Sequence, residues 1–446
     1  MVASLEPAPA DAPHAPLVGV VARPGPALLP TVDAVWARGA AVLPIDPELA
    51  PPARDRLLAT LRPRAVVEPP AAGTRPFAPP TPADVASSAT IEWRAEAEPV
   101  PRGTALVVAT SGSSGAPKGV RLSHRALRAS VTAGLARLDS RPDDVWLACL
   151  PPHHVAGLLV LLRARALGAP VRIVAPFDPG EIARAPELAR APDVDPGEVA
   201  RAPANRVALV PTMLSRLLDA GVDLSGYRTV LLGGAALPGE VRERAVAAGA
   251  PLVESYGMSE TAGGCVYDGR PLDGVRVALD DTGRIHVTGP VLSDGYHLDP
   301  ARTAEAFADG WFATGDRGRW DGDRLVVEGR LDAAVTTGGE TVDVEAVAAC
   351  LAAHPGIADA AAGGLPDPEW GERLVAWCVP THRDLPTLEE LRRHAAERLG
   401  RAAAPRDVVA VDAIPRTPLG KVRRDALPGP SGLDGTGRCA EPRAPR

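Results

Sequence analysis

Lysine, asparagine and glutamine are almost missing from this sequence. Of its 48 basic residues only Lys118 and Lys421 are lysine; asparagine occurs once, at Asn205, and glutamine not at all. Aromatics are scarce as well, with seven Trp, four Tyr and four Phe, so a core must be built from Ala, Val and Leu. Five cysteines, at 149, 265, 350, 378 and 439, are odd in number and lack metal-ligand spacing, which points to reduced thiols. The longest apolar stretch near the middle, residues 155–162, stops at Arg163, far short of a membrane span. No basic segment followed by an apolar one opens the chain, so no secretory signal is read and a cytoplasmic setting is expected. A net charge of −7 without basic clusters argues against nucleic acid as a partner.

What is present is a chain of 446 residues, long enough for two or three domains and an ample core. Residues 1–30, rich in Pro and Ala, read as loosely structured. Strands are expected at 41–45 and 65–67 around a helix at 53–61, and a β-branched run at 104–110 ends in a Gly/Ser loop. Residues 207–210, 213–219, 229–232, 240–248 and 251–254 then repeat strand, helix, strand, helix, strand, which implies α/β layers on a largely parallel sheet. Between 274 and 329, Asp-Gly and Gly-Pro turns separate short strands, as in a small β subdomain. DPGEIARAP at 178–186 returns as DPGEVARAP at 195–203; two copies are too few for a solenoid, and a tolerated surface insertion is expected. After Arg330 come helices at 344–353 and 387–399 and strands near 358–362 and 374–379. The expectation is therefore α/β: a large layered N-terminal domain over 1–330 and a small α+β domain over 331–427. A disordered Gly/Pro/Arg tail is expected over 428–446.

Both lysines sit in phosphate-suited settings. Lys118 closes TSGSSGAPKG (110–119), where glycines let backbone N–H groups approach an anion and hydroxyls and an ammonium add donors. It is not a Walker A loop, which needs Ser or Thr after its Lys; Gly119 stands there. Lys421 lies in PRTPLGKVRR (415–424). A carboxylate attacking a phosphate brings two anions together, and a compact ammonium between them offsets the repulsion where it peaks.

TSGSSGAPKG resembles the signature of the adenylate-forming superfamily, the acyl-CoA synthetases, adenylation domains and luciferases. Further motifs follow in that family's order: LPPHHVAG (150–157), GGAA (233–236), ESYGMSET (254–261), ATGD (313–316), EGR (328–330), TTGGETV (336–342) and the closing Lys421 segment. The resemblance implies that Thr110, Ser111, Gly112, Ser113, Ser114, Gly115 and Lys118 hold phosphates. It implies that Gly233, Gly234, Ala235, Ser255, Tyr256, Gly257 and Met258 surround adenine, that Ser259 meets a phosphate, and that Glu260 binds Mg2+. Asp316 would accept the ribose hydroxyls, with Arg330 beside ribose or phosphate; Asp332 would be the hinge, and Gly338 and Gly339 would line a CoA tunnel. Lys421 would act in adenylation, and His154 would be catalytic at the rim of an acid pocket completed by Thr261, Gly263 and Gly264.

The implied cofactors are ATP and Mg2+, with CoA as co-substrate and a small carboxylate as the acid. Within the superfamily LPPHHVAGL, VALVPTMLSRLLDAG and ESYGMSETAGGCVYDGRPLDGVRV are most similar to the ligases that activate 2-succinylbenzoate for menaquinone synthesis. A CoA ligase for another aromatic or short-chain acid is the alternative. An amino-acid adenylation enzyme would want an Asp near His154, which is absent, and a non-catalytic AMP-binding module would not need Glu260, Asp316 and Lys421 together. A homodimer is one assembly left open.

Overall fold

The computed structural model describes residues 12–70, 90–111, 117–186, 204–331, 334–337, 340–367, 371–382, 385–417 and 422–429. By backbone proximity the chain divides into two units. The first holds Met1–Ala278, His286–Thr314 and Gly322–Arg324; the second holds Leu279–Ile285, Gly315–Asp321 and Leu325–Arg446.

In the first unit, one seven-stranded sheet runs in the spatial order Tyr296–His297, Pro117–Ser123, Thr104–Ser111, Ala41–Ile45, Leu17–Val21, Ala65–Glu68 and Thr90–Trp93. Its middle strands are parallel and its flanking pairs antiparallel. Leu17–Val21 corrects the expectation that residues 1–30 are loosely structured. Its LVGVV run is buried throughout and has a parallel partner on each side. The Pro and Ala around it masked a short, wholly apolar strand of the kind that sits in the middle of a parallel sheet.

A second seven-stranded sheet orders Val171–Ile173, Trp146–Ala148, Arg206–Leu209, Thr229–Leu232, Leu252–Met258, Gly263–Tyr267 and Arg270–Pro271. The first five strands are parallel, and each of the last two is antiparallel to the strand before it. Between them run helices Val155–Leu167, Pro211–Asp219 and Gly239–Ala247. Val155–Leu167 is apolar nearly all round and almost entirely buried, as an all-apolar helix must be, and ends at Gly168 in the left-handed conformation.

The repeat at 178–186 is also corrected. Asp178 caps a short helix, Pro179–Arg184, and Ile182 and Ala185 lie wholly inside the core of this sheet. Two apolar side chains spaced for one helical face turned the first copy inward. The second copy, at 195–203, lies outside the described residues.

In the second unit, strands Glu340–Asp343, Ala334–Thr337, Gly371–Pro380 and Ile357–Asp367 form an antiparallel sheet with Asp407–Ala410 added in parallel. Helices Val344–Ala352 and Leu388–Leu399 bury Val347, Leu351, Leu391 and Ala395 in one core with this sheet. Thr387 and Glu390 form a reciprocal capping box at the second helix's start. Trp377 Nε1 donates to Pro428 O at 2.9 Å, tying residue 428 to the sheet; residues 430–446 lie outside the described residues.

Candidate active site

Lys118 is placed by the antiparallel pairing of Thr104–Ser111 with Pro117–Ser123, which sets Thr110 directly across from it. Gly119 is packed so closely that a Cβ there would lie 2.7 Å from Val107 Cγ1 and 2.8 Å from Leu61 Cδ2. The position where a Walker A loop carries its hydroxyl thus has no room for a side chain. From this strand the Lys118 ammonium donates to Glu260 Oε1 at 2.9 Å. The Tyr296 hydroxyl donates to the same oxygen at 2.9 Å, and Lys118 Nζ lies 4.8 Å from the centre of the Tyr296 ring. The Glu260 side chain is 8% exposed, that of Lys118 24%. Burial, reinforced by the Glu260 charge, pushes the Tyr296 phenol far above its ordinary value, so it remains a donor.

Glu260 is held by the segment 252–264. Leu252–Met258 runs parallel to Thr229–Leu232 on one edge and antiparallel to Gly263–Tyr267 on the other, with a bulge between Tyr256 and Gly257. A Cβ on Gly257 would stand 2.1 Å from the Gly263 carbonyl oxygen, so only glycine lets the two backbones meet there. Ser255, Tyr256, Met258 and Ser259 are half-buried beside this bulge. Thr261 departs from expectation. It is fully buried, and its hydroxyl accepts from Met258 N and lies 2.7 Å from Gly263 O, to which it donates. Its donor is used inside the turn and offers nothing to an acid; the threonine holds the Ser259–Thr261 turn closed. Gly264 is likewise explained by packing, since a Cβ there would meet Ser255 Oγ at 2.0 Å, while Gly263 adopts φ +91°.

Gly233 follows strand Thr229–Leu232 and donates its N–H to Leu209 O at 3.2 Å; Gly234 and Ala235 beyond it are exposed. His154 precedes helix Val155–Leu167 and its ring lies 4.2 Å from that of His153. His153 faces Asp46 with Nδ1 3.7 Å from Oδ1, and burial holds its pKa below the usual imidazole value. Residues 150–154, 233–235 and 255–260 all lie at or beyond the carboxyl ends of parallel strands, where open α/β sheets bind ligands.

The second unit holds its own pair. Arg330 Nη1 stands 3.3 Å from Asp316 Oδ1, the carboxylate nearly buried and the guanidinium half-exposed. Asp343, at the end of strand Glu340–Asp343, caps helix Val344–Ala352 by accepting from Glu345 N and Ala346 N. Burial raises the Glu345 pKa, opposed by Arg424 and Arg330 and assisted by Asp343 and Asp316.

Gly112, Ser113, Ser114, Gly115, Asp332, Gly338, Gly339 and Lys421 lie outside the described residues. The residue that sequence reasoning missed is Tyr296. It belongs to none of the motifs, and the only mark on it in the sequence is that the chain has just four tyrosines.

Among the described residues, no helix is long and apolar enough to cross a membrane. The profile described as "AMP-binding enzyme" matches residues 10–297, and that of the "AMP-binding enzyme C-terminal domain" matches 346–421. The chain is 41% identical over 339 residues to a Mycobacterium tuberculosis protein named "Probable 2-succinylbenzoate--CoA ligase", covering 72% of this chain and 83% of that one. Among solved structures it is similar to E. coli MenE with a bound m phenylether-linked analogue of OSB-AMS. That likeness has 28% identity and a TM-score of 0.67, over 92% of this chain and 87% of that one. ATP-bound MatB from Rhodopseudomonas palustris superposes with a TM-score of 0.75 at 25% identity, over 92% and 88% of the two chains. With a phosphate-suited lysine on a buried glutamate at the strand ends, and both family domains matched in order, the chain belongs to the AMP-binding enzyme family.

Proposed function

We propose that the protein is an ATP-dependent, AMP-forming acid–CoA ligase that converts 2-succinylbenzoate to 2-succinylbenzoyl-CoA for menaquinone synthesis. The observation that carries the reaction class is the half-buried Lys118 paired with the buried Glu260 at the carboxyl ends of the strands. The acid follows from the 41% identity to the mycobacterial relative.

In the first half-reaction a carboxylate oxygen of the acid attacks the α-phosphorus of ATP and the bond to pyrophosphate breaks. Lys118 and the hydroxyls from Thr110 to Ser114 would hold the phosphates, and Lys421 would stand between the two reacting anions. Tyr256 would pack against adenine beside Gly233–Ala235, and Asp316 would accept from the ribose hydroxyls with Arg330 beside it. In the second half-reaction the CoA sulfur attacks the acyl carbon and AMP leaves. Residues 331–427 would turn at Asp332 between the two, withdrawing Lys421 and bringing Gly338 and Gly339 to the thiol. His154 stays as the acid-side residue, since Thr261 is sealed away.

Glu260 fits Mg2+ as a hard carboxylate oxygen ligand that already holds a cation's charge. When bound, the ion would neutralise phosphate charge. Use of ATP and CoA supports a cytoplasmic setting.

The test is ATP–pyrophosphate exchange across a panel of carboxylic acids, followed by detection of the CoA thioester. Exchange and thioester with 2-succinylbenzoate are expected. Strong exchange with a simple benzoate and none with 2-succinylbenzoate overturns the acid; no exchange with any carboxylic acid overturns the reaction class.

A further inference from the structure

We propose that Tyr296 is a positioning residue that fixes the Glu260 carboxylate while Lys118 gives way to a metal–nucleotide. The inference rests on the reading of Glu260 as a metal ligand and extends it to a residue in a different segment.

Three observations place Tyr296 in this role. Its hydroxyl and the Lys118 ammonium converge on one oxygen, Glu260 Oε1, each at 2.9 Å, and neither bond uses Oε2. Its ring lies beneath the ammonium, 4.8 Å from Nζ, so one side chain touches both members of the pair. It is also anchored from several sides. The Tyr296 backbone pairs with Val120 two residues after Lys118, its N–H donates to Thr303 Oγ1 at 2.9 Å, and its ring meets Phe307 edge-on.

These restraints differ in kind. A divalent ion arriving at Glu260 puts a second cation beside the Lys118 ammonium, and the two repel. The longer, more exposed lysine has a flexible stem and a phosphate to move to, whereas Tyr296 is 5% exposed and held in a strand. The neutral hydroxyl feels no such repulsion. It can stay on Oε1 and keep the carboxylate in one orientation, with Oε2 left for the ion. Hydrogen-bond partners that orient a metal ligand are worth about 10–100-fold in metal affinity.

The experiment is calorimetric binding of α,β-methylene-ATP, whose α,β bridge cannot be cleaved to transfer AMP, with Mn2+ and again in EDTA. Tyr296→Phe keeps the ring beneath Lys118 and its packing, and removes only the hydroxyl. Glu260→Gln serves as the reference. Tyr296→Phe is expected to weaken binding of the Mn2+ complex about tenfold and leave metal-free binding unchanged. If Glu260→Gln weakens the Mn2+ complex and Tyr296→Phe does not, the positioning role is overturned while Glu260 stands as the ligand. If Glu260→Gln has no effect, the metal reading fails and the proposal with it. Equal losses with and without metal in Tyr296→Phe would show a merely structural tyrosine and also overturn it.

Discussion

Replacing Asp144 by Ala should destabilise the first unit without touching nucleotide binding. Asp144 and Arg206 are both fully buried, with Arg206 Nε 2.7 Å from Asp144 Oδ2. Asp144 also accepts from Arg141 N at 2.7 Å and Asn205 Nδ2 at 3.1 Å, and Arg228 Nη1 lies 3.4 Å away. Removing the carboxylate leaves a buried guanidinium uncompensated beside a second one, a change that costs about 3–5 kcal/mol. The lower end applies here, because Arg206 keeps the carbonyls of Leu138 and Asp139 and the Thr229 hydroxyl. At about 2 °C per kcal/mol for a large domain, calorimetry should show Tm falling by roughly 6 °C. These groups stand at the amino ends of the parallel strands, opposite the 233–235 turn, so the KM for ATP should not change. Exchanging the pair for Leu and Met together should recover most of the loss, since apolar replacement of a buried ion pair is often neutral. A Tm within about 1 °C of wild type for Asp144→Ala, on the same scale, would refute the reasoning.

Three further outcomes are expected. His124, His153 and His297 are each held below the ordinary imidazole value, burial being the largest cause in all three. The unfolded chain therefore takes up protons that the folded chain refuses. Stability should be full above about pH 7 and fall as pH drops through about 6.5; melting curves from pH 8 to 5.5 check this, and His297→Gln should flatten the slope. Lys421→Ala should lower pyrophosphate exchange by roughly 10²–10³, while purified acyl-adenylate still reacts with CoA; loss of both half-reactions in a folded variant would count against a role confined to the first. Gly257→Ala forces a Cβ to within 2.1 Å of the Gly263 carbonyl. It should cost about 1–3 kcal/mol or more and raise the KM for ATP by displacing Tyr256, measured by melting and by exchange kinetics.

Most strands and helices were legible because their signals are local. The expected strands at 41–45 and 229–232 have the observed bounds, and the helix expected at 387–399 begins one residue later because Thr387 is its cap. Leu17–Val21 was hidden by the average composition of the thirty residues around it, although its own five residues are all apolar. The first DPGE repeat was read from its charged and small residues, whereas Ile182 and Ala185 decided where it lies.

The family motifs were legible for a different reason, and their packing shows the limit of reading them as ligands. Within ESYGMSETAGG, Glu260 faces Lys118, but Thr261 closes a turn and Gly257 and Gly264 exist because neighbouring atoms leave no room for a Cβ. A motif therefore mixes residues that meet a ligand with residues that let the backbone present them, and sequence does not separate the two. Lys118 was found because lysine is rare here; Tyr296, its neighbour in space, is 178 positions away in the chain and belongs to no phosphate motif. The antiparallel pairing of Tyr296–His297 with Val120 and Gly119 brings that tyrosine to the lysine's strand. The clue to it was the same kind of scarcity, four tyrosines in 446 residues, but scarcity gains meaning only once geometry supplies the partner.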